Sequence, residues 1–233
     1  QNLFTGHICV NSNRKSYSWQ RVNCSYEKGL YMRIERVESL DKRKCKVFTD
    51  EDFAFLLYNG ELEKYGVCEG AVLEKRTERE LLDLLSRRAH ERALNLLKVQ
   101  DRTEGEMCRR LFQDGYPDSI VQETIGFLQE YHFVDDARYA ANYLQVHGKR
   151  KSQAELKLYL QRKGISREII REQLEETEHD SGEAIRVLLE KKHYRAGETA
   201  PEEKKKIIAY LMRRGFSWED IRREMKEQED ALG

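Results

Sequence analysis

Proline is nearly missing from this chain. The only two, Pro117 and Pro201, both stand where a helix would begin. Long helical segments are therefore left uninterrupted, since a proline inside a helix costs about 3 kcal/mol. Cysteine is sparse and unpaired in pattern: Cys9, Cys24, Cys45, Cys68 and Cys108 are odd in number and scattered, with no C-x-x-C pair for zinc or redox chemistry. Such usage is expected of reduced thiols in a cytoplasmic protein. No apolar run approaches the length of a membrane helix or the core of a signal peptide, so no membrane association is expected. There is no glycine-rich phosphate loop, no metal-ligand cluster and no nucleophile with a base beside it. These absences argue against an enzyme, a cofactor, a bound metal or a small-molecule substrate. Net charge is also absent, 42 basic residues balancing 42 acidic ones.

What the chain does have is a repeat. The stretch Ser152 to Leu174 has counterparts at Thr103 to Ile125 and Glu202 to Met225, whose turn glycines are Gly115, Gly164 and Gly215. Apolar residues fall at matched places before each glycine (Met107/Leu111, Leu156/Leu160, Ile207/Leu211) and after it (Val121/Ile125, Ile170/Leu174, Ile221/Met225). A period near 50 residues with matched apolar positions signals a repeat architecture. The i, i+4 stripes predict two helices per unit, broken at a left-handed glycine. Pro117, Ser166 and Ser217 then start the second helix. Capping boxes are expected at Thr103/Glu106, Ser152/Glu155 and Thr199/Glu202, each cap contributing roughly 1 kcal/mol. Lead helices at 139–144 and 184–189, and a long one opened by a Thr77/Glu80 box that continues or bends into repeat one, bring each unit to three helices.

The fold class expected is mainly α, with tandem three-helix, helix-turn-helix-like repeats in an elongated array. The composition, 39% hydrophobic and 36% charged, suits thin helical layers. Before the repeats, β-branched and aromatic residues flank an acidic turn near Asp50 to Asp52, predicting a β-hairpin, and a short helix at 59–64 ends at Gly66. The hairpin's open edge is a candidate partner site. The divisions are an extension at 1–31, the hairpin region at 32–75, repeat one with its linking helix at 76–134, repeat two at 135–179 and repeat three at 180–233. Residues 1–31 are read as a dispensable extension, with Met32 the functional start. The alternative is an accessory arm, since Arg14, Lys15, Tyr17, Trp19 and Arg21 mix basic and aromatic side chains.

The balanced charge hides a gradient. From Asp101 to Asp136 nine acidic residues face three basic ones, whereas Lys149 to Lys163 is basic but for Glu155, and Lys204, Lys205, Lys206, Arg213 and Arg214 form a second basic group. Two electrostatic faces are the expected result. The adjacent Asp135 and Asp136 invite a metal or catalytic reading, but no ligand spacing accompanies them. Both are read as structural, Asp135 capping a helix and Asp136 favouring its positive end.

The segment FVDDARYAANYL (Phe133 to Leu144) is followed by G-K-R-K-S-x-x-E-L-x-x-x-L-x-x-K-G-I (Gly148 to Ile165). Together with the DEDFAFLL run (Asp50 to Leu57) and the R-T-E-x-E-M opening of repeat one (Arg102 to Met107), it resembles the RecX family of bacterial recombination regulators from about Met32 to Met225. The resemblance implies a modulator, usually an inhibitor, of the RecA recombinase, acting on the RecA filament and meeting DNA through it. The basic contact candidates are Lys149, Arg150, Lys151, Lys157, Arg162, Lys163, Lys204, Lys205, Arg213 and Arg214. Charged helical residues are more often only solvated. The competing reading is a helix-turn-helix transcription regulator. Against it, the would-be recognition helices carry Asp118 and Glu123, then Glu168, Glu172, Glu175 and Glu176, then Glu219, Asp220 and Glu224, which phosphates would repel.

Overall fold

The structure, a computed structural model, describes residues 7–8, 19–20, 32–49, 54–177 and 180–231. Most of the expected extension, and the hairpin turn near Asp50 to Asp52, lie outside the described residues. Two compact units divide the chain, one from 1–95 and 110–127, the other from 96–109 and 128–233.

In the first unit, β1 (His7–Ile8) and β2 (Trp19–Gln20) pair antiparallel. The expected hairpin is β4 (Lys44–Thr49) against β5 (Ala54–Tyr58), with Lys44 opposite Tyr58. It is part of a larger sheet than the sequence predicted. Strand β3 (Met32–Ser39) lies antiparallel to β4 and in turn takes β6 (Val72–Leu73), giving the order β5-β4-β3-β6. Helix α1 (Asn59–Tyr65) ends at Gly66, whose φ is 64°. One face of the sheet buries Ile34, Val47, Phe55 and Leu57 against Leu81, Leu85 and Ala89 of α2 (Lys75–Leu97) and Ile120 of α4 (Asp118–Glu130). A hairpin that is marginal alone thus gains the extra strands and helix it needs.

Helix α2 starts before the expected Thr77/Glu80 box. The amide of Glu78 already donates to the Glu74 carbonyl at 2.9 Å, so Thr77 lies within the helix rather than at its cap. Strand β6 ends at Leu73 and the chain enters the helix at once. Nor does α2 continue into the helix that Thr103 opens. It stops at Leu97, and α3 (Glu104–Gln113) begins separately, because Thr103 caps it and an N-cap residue stands outside the helix it starts.

The repeats follow the expected pattern. The second contains α5 (Asp136–His147), a 3-10 turn (Gly148–Arg150), α6 (Gln153–Lys163) and α7 (Arg167–Glu176). The third contains α8 (Ser181–Lys191), α9 (Pro201–Arg213) and α10 (Trp218–Asp230). Each packs its own core, Leu144, Leu156, Leu160 and Ile170 in one, Ile185, Leu189, Ile207, Leu211 and Ile221 in the other. Gly115, Gly164 and Gly215 all have left-handed backbones, φ 83°, 95° and 89°. Ser166 and Ser217 accept the amides of Ile169 and Asp220, as N-caps should. The third capping box does not form. Pro201 opens α9 without an amide to satisfy, and the Thr199 hydroxyl instead accepts the Arg195 amide at 2.8 Å.

Gly115 carries a second constraint, since a Cβ there would lie 2.5 Å from Leu56 Cγ. Gly66 is also left-handed but opens on free space. Gly66→Ala should therefore cost about 1 kcal/mol, the backbone penalty alone, and Gly115→Ala distinctly more. Urea unfolding midpoints of the two variants check this, equal losses being the contrary result.

Candidate functional site

The second unit contains two joints built on one plan, and they engage part of the expected basic set. At the start of α3, Thr103 Oγ1 accepts the Glu106 amide at 3.2 Å and donates to the Lys163 carbonyl at 2.6 Å. At the start of α6, Ser152 Oγ accepts the Glu155 amide at 3.2 Å and donates to the Arg214 carbonyl. One buried hydroxyl thus satisfies an unpaired amide at the head of one helix and an unpaired carbonyl at the tail of the next repeat's helix. The glutamate of each capping box does likewise with charge. Glu106 receives the Lys163 ammonium at 2.7 Å, and Glu155 receives Arg214 through two bonds of 2.8 and 2.9 Å. Small residues permit the approach: a Cβ on Gly105 would lie 2.9 Å from Gly164 Cα, and one on Gly215 would meet Ala154 Cβ at 2.6 Å. Arg109 adds bonds to the Arg162 and Lys163 carbonyls at 3.3–3.4 Å. Positive helix starts face negative helix ends, a favourable arrangement of dipoles.

These joints engage two of the contact candidates, Lys163 and Arg214, in ion pairs within the chain. Burial opposes the Lys163 charge, yet the hydrogen bond and charge of Glu106 hold its ammonium above the ordinary lysine range. The Glu155 bonds raise the already high Arg214 value. Other candidates are also engaged. Lys151 lies over the Tyr143 and Tyr159 rings, Lys204 pairs with Glu229 at 2.7 Å, Lys149 with Glu183 at 3.2 Å and Lys205 with Glu202 at 3.1 Å. The last two pairs are surface contacts of little strength. Arg150, Lys157, Arg162 and Arg213 are exposed and have no ion-pair partner among the described residues. Arg162 and Arg213 occupy the same place in successive repeats, one residue before the joint cation.

The acidic excess of the first repeat is likewise partly internal. Asp135 caps α5 by accepting the Arg138 amide at 2.9 Å, as expected, whereas Asp136 does more than favour its own helix: it accepts the Glu104 amide at 2.9 Å and so caps α3. Gln129 donates to Glu104 at 2.9 Å. The second-helix carboxylates divide as well, Glu168, Glu172, Glu175 and Glu176 being exposed while Glu224 is buried against Arg186 at 2.6 Å. Among the described residues no group of three or more His, Cys, Asp or Glu side chains is placed to hold a metal, and no helix is long and apolar enough to cross a membrane.

The three repeats match the RecX family models, the first three-helix domain at 89–128, the second at 135–174 and the third at 180–225. "Regulatory protein RecX" of Clostridium tetani is 33% identical over 208 residues, 87% of this chain and 86% of that protein. The chain belongs to the RecX family. The family member from Clostridium acetobutylicum, also named a regulatory protein, is 28% identical and covers 83% of this chain and 95% of its own. A crystal structure of regulatory protein RecX shares the fold, with a TM-score of 0.56, 21% identity and coverage of 84% of this chain and 99% of that one. RecX from Lactobacillus salivarius gives 0.54 and 21%, over 63% of this chain and 97% of its own.

The cap formed by Asp136 has a measurable acid signature. Burial first, and then Asp136, push the Glu104 carboxyl above its ordinary value; burial likewise raises Asp136, with Asp135 and Glu106 adding to it against the Glu104 amide. A carboxyl raised on folding costs stability while ionised, and the cost is relieved as pH falls through the folded value. Asp136→Asn keeps an acceptor for the Glu104 amide but cannot titrate. The wild type should therefore gain on this variant as pH is lowered from 7 towards 4, read from urea midpoints across the series. A difference that stays flat or moves oppositely contradicts the assignment.

Proposed function

We propose that this chain regulates a RecA-type recombinase in the cytoplasm by binding its filament on DNA and inhibiting the filament's ATPase, recombinase and coprotease activities. Membership of the RecX family across all three domains is the observation that carries this reading. The joints supply its physical form. They consume Lys163 and Arg214 inside the molecule and leave Arg162 and Arg213 exposed at equivalent places in consecutive repeats. Two cations set by one repeat geometry suit a partner that is itself periodic, as a filament is. Bridging neighbouring recombinase subunits would impede the motions that ATP turnover and strand exchange require. Sequence-specific duplex recognition is a weaker reading, since α7 presents four exposed glutamates where a recognition helix would meet phosphates.

The test is the single-stranded-DNA-dependent ATPase rate of the cognate recombinase as the protein is titrated in. Inhibition is expected, weakened about tenfold or more in concentration by Arg162→Glu combined with Arg213→Glu. Both residues are exposed, so thermal stability should be kept. Pairing Arg162→Glu with a change at Lys163 would break a joint and confuse the two effects. An unchanged ATPase rate at excess protein contradicts the proposal.

A further inference from the structure

The densest run of cations in the described sheet belongs to the first unit and includes none of the helical candidates. Between β3 and β4 the turn reads Leu40-Asp41-Lys42-Arg43, and β4 continues with Lys44 and Lys46. The one acidic residue of this stretch is already committed: the Asp41 carboxylate accepts the Arg43 and Lys44 amides at 2.7 and 2.9 Å, fixing the turn. Arg43 and Lys44 help to hold the Asp41 carboxyl below its ordinary value, and Glu38 stands opposite Lys46 across the ladder, but none of Lys42, Arg43, Lys44 and Lys46 forms an ion pair among the described residues.

The alternation of β4 then places these cations beside aromatic rings. Cys45, Val47 and Thr49 are buried, so Lys44, Lys46 and Phe48 share the opposite, outward face. Across the ladder Phe48 stands opposite Arg36, and Lys44 opposite Tyr58. The Arg36 guanidinium lies 4.2 Å from the Phe48 ring centre and the Lys46 ammonium 4.8 Å from it. Lys44 and Arg88 lie 5.4 and 4.8 Å from the Tyr58 ring, and Tyr58 is 43% exposed. Arg36 and Arg88 are also ion-paired, with Glu38 at 3.0 Å and with Glu61, and Glu38 stands opposite Lys46 on this face, so the N–H groups left for an outside acceptor are chiefly those of the lysines and Arg43. Leu56, on the same face, is covered by the Gly115 turn, so the accessible strip consists of exposed Lys46 and Tyr58 with half-buried Phe48 and Lys44, together with the exposed basic turn.

We infer that this outward face of the sheet is a contact surface for single-stranded nucleic acid, with Lys42, Arg43, Lys44 and Lys46 meeting phosphates and Phe48 and Tyr58 meeting bases. Cations alone would serve any polyanion. Rings interleaved with them at the two-residue period of a strand add a stacking partner for unpaired bases, which a duplex does not offer. The inference does not depend on the recombinase reading, since it concerns a different surface and a ligand bound directly.

The test is fluorescence anisotropy of a fluorescein-labelled oligothymidylate titrated with the full chain at several salt concentrations. Two variants separate the two contributions. Lys42→Ala with Lys46→Ala removes exposed cations, so affinity should fall and the slope of log affinity on log salt should shrink by about 1.4, or ~0.7 for each lost phosphate contact. Phe48→Leu keeps the apolar bulk and should weaken binding about fivefold or more with little change in slope. Unchanged melting temperatures establish that both variants are folded. Wild-type affinity and salt slope in the lysine variant would overturn the inference. So would an unaffected Phe48→Leu variant together with full displacement of the DNA by poly-glutamate, which would mark the face as a general polyanion patch.

Discussion

A single side-chain oxygen at the start of a helix serves two helices at once, and the repeats depend on it. Thr103 and Ser152 each close a capping box on their own helix and bond a carbonyl at the end of the next repeat's helix. Helix ends leave four amides and four carbonyls without internal partners, and burying them unpaired costs about 1–3 kcal/mol apiece. Setting one helix's start on another's end solves both problems at one place. The requirement then propagates: the meeting residues must be small, hence Gly105 and Ala154 against Gly164 and Gly215, and the nearby charges must be opposite. The glycine turn of the first repeat is backed differently, by Leu56 of the sheet. In the first unit the sheet therefore occupies the place that a preceding repeat takes elsewhere.

This plan changes the meaning of the charge gradient. An acidic first repeat and basic later helices look like two faces for two partners, yet Glu106 and Lys163, and Glu155 and Arg214, are each other's partners. Electrostatic complementarity within the chain consumes part of what a partner might have read. What is left unpaired and exposed is narrower, Arg150, Lys157, Arg162 and Arg213 on the helices and the cation-aromatic strip on the sheet.

Most of the helical fold was legible because several local signals agreed at each boundary. Glycines in left-handed turns, serine caps and matched apolar stripes marked the repeats. Strand β3 was missed because its residues Met32 to Ser39 bury only Ile34 fully, and a register shift between Ile34 and Arg36 breaks the two-residue alternation that announces a strand. The Thr77 and Thr199 caps were locally plausible but lost to what stood next to them, an abrupt strand-to-helix turn in one case and Pro201 in the other. The pairing of Lys163 and Arg214 with glutamates 57 and 59 residues away is not legible in a lone sequence, which places no side chain beside another at that distance. A signal was present all the same: each capping-box glutamate recurs with a basic residue just before the next repeat's glycine.

Native-state hydrogen exchange after Thr103→Val tests the shared joint most directly. The substitution keeps the side chain's shape and removes only the hydroxyl, which should cost about 1–2 kcal/mol. If the joint works as described, protection should fall on both sides of it, at the first turn of α3 and at residues 163–165, with α10 unaffected. A loss confined to α3 would contradict the account and reduce Thr103 to an ordinary helix cap.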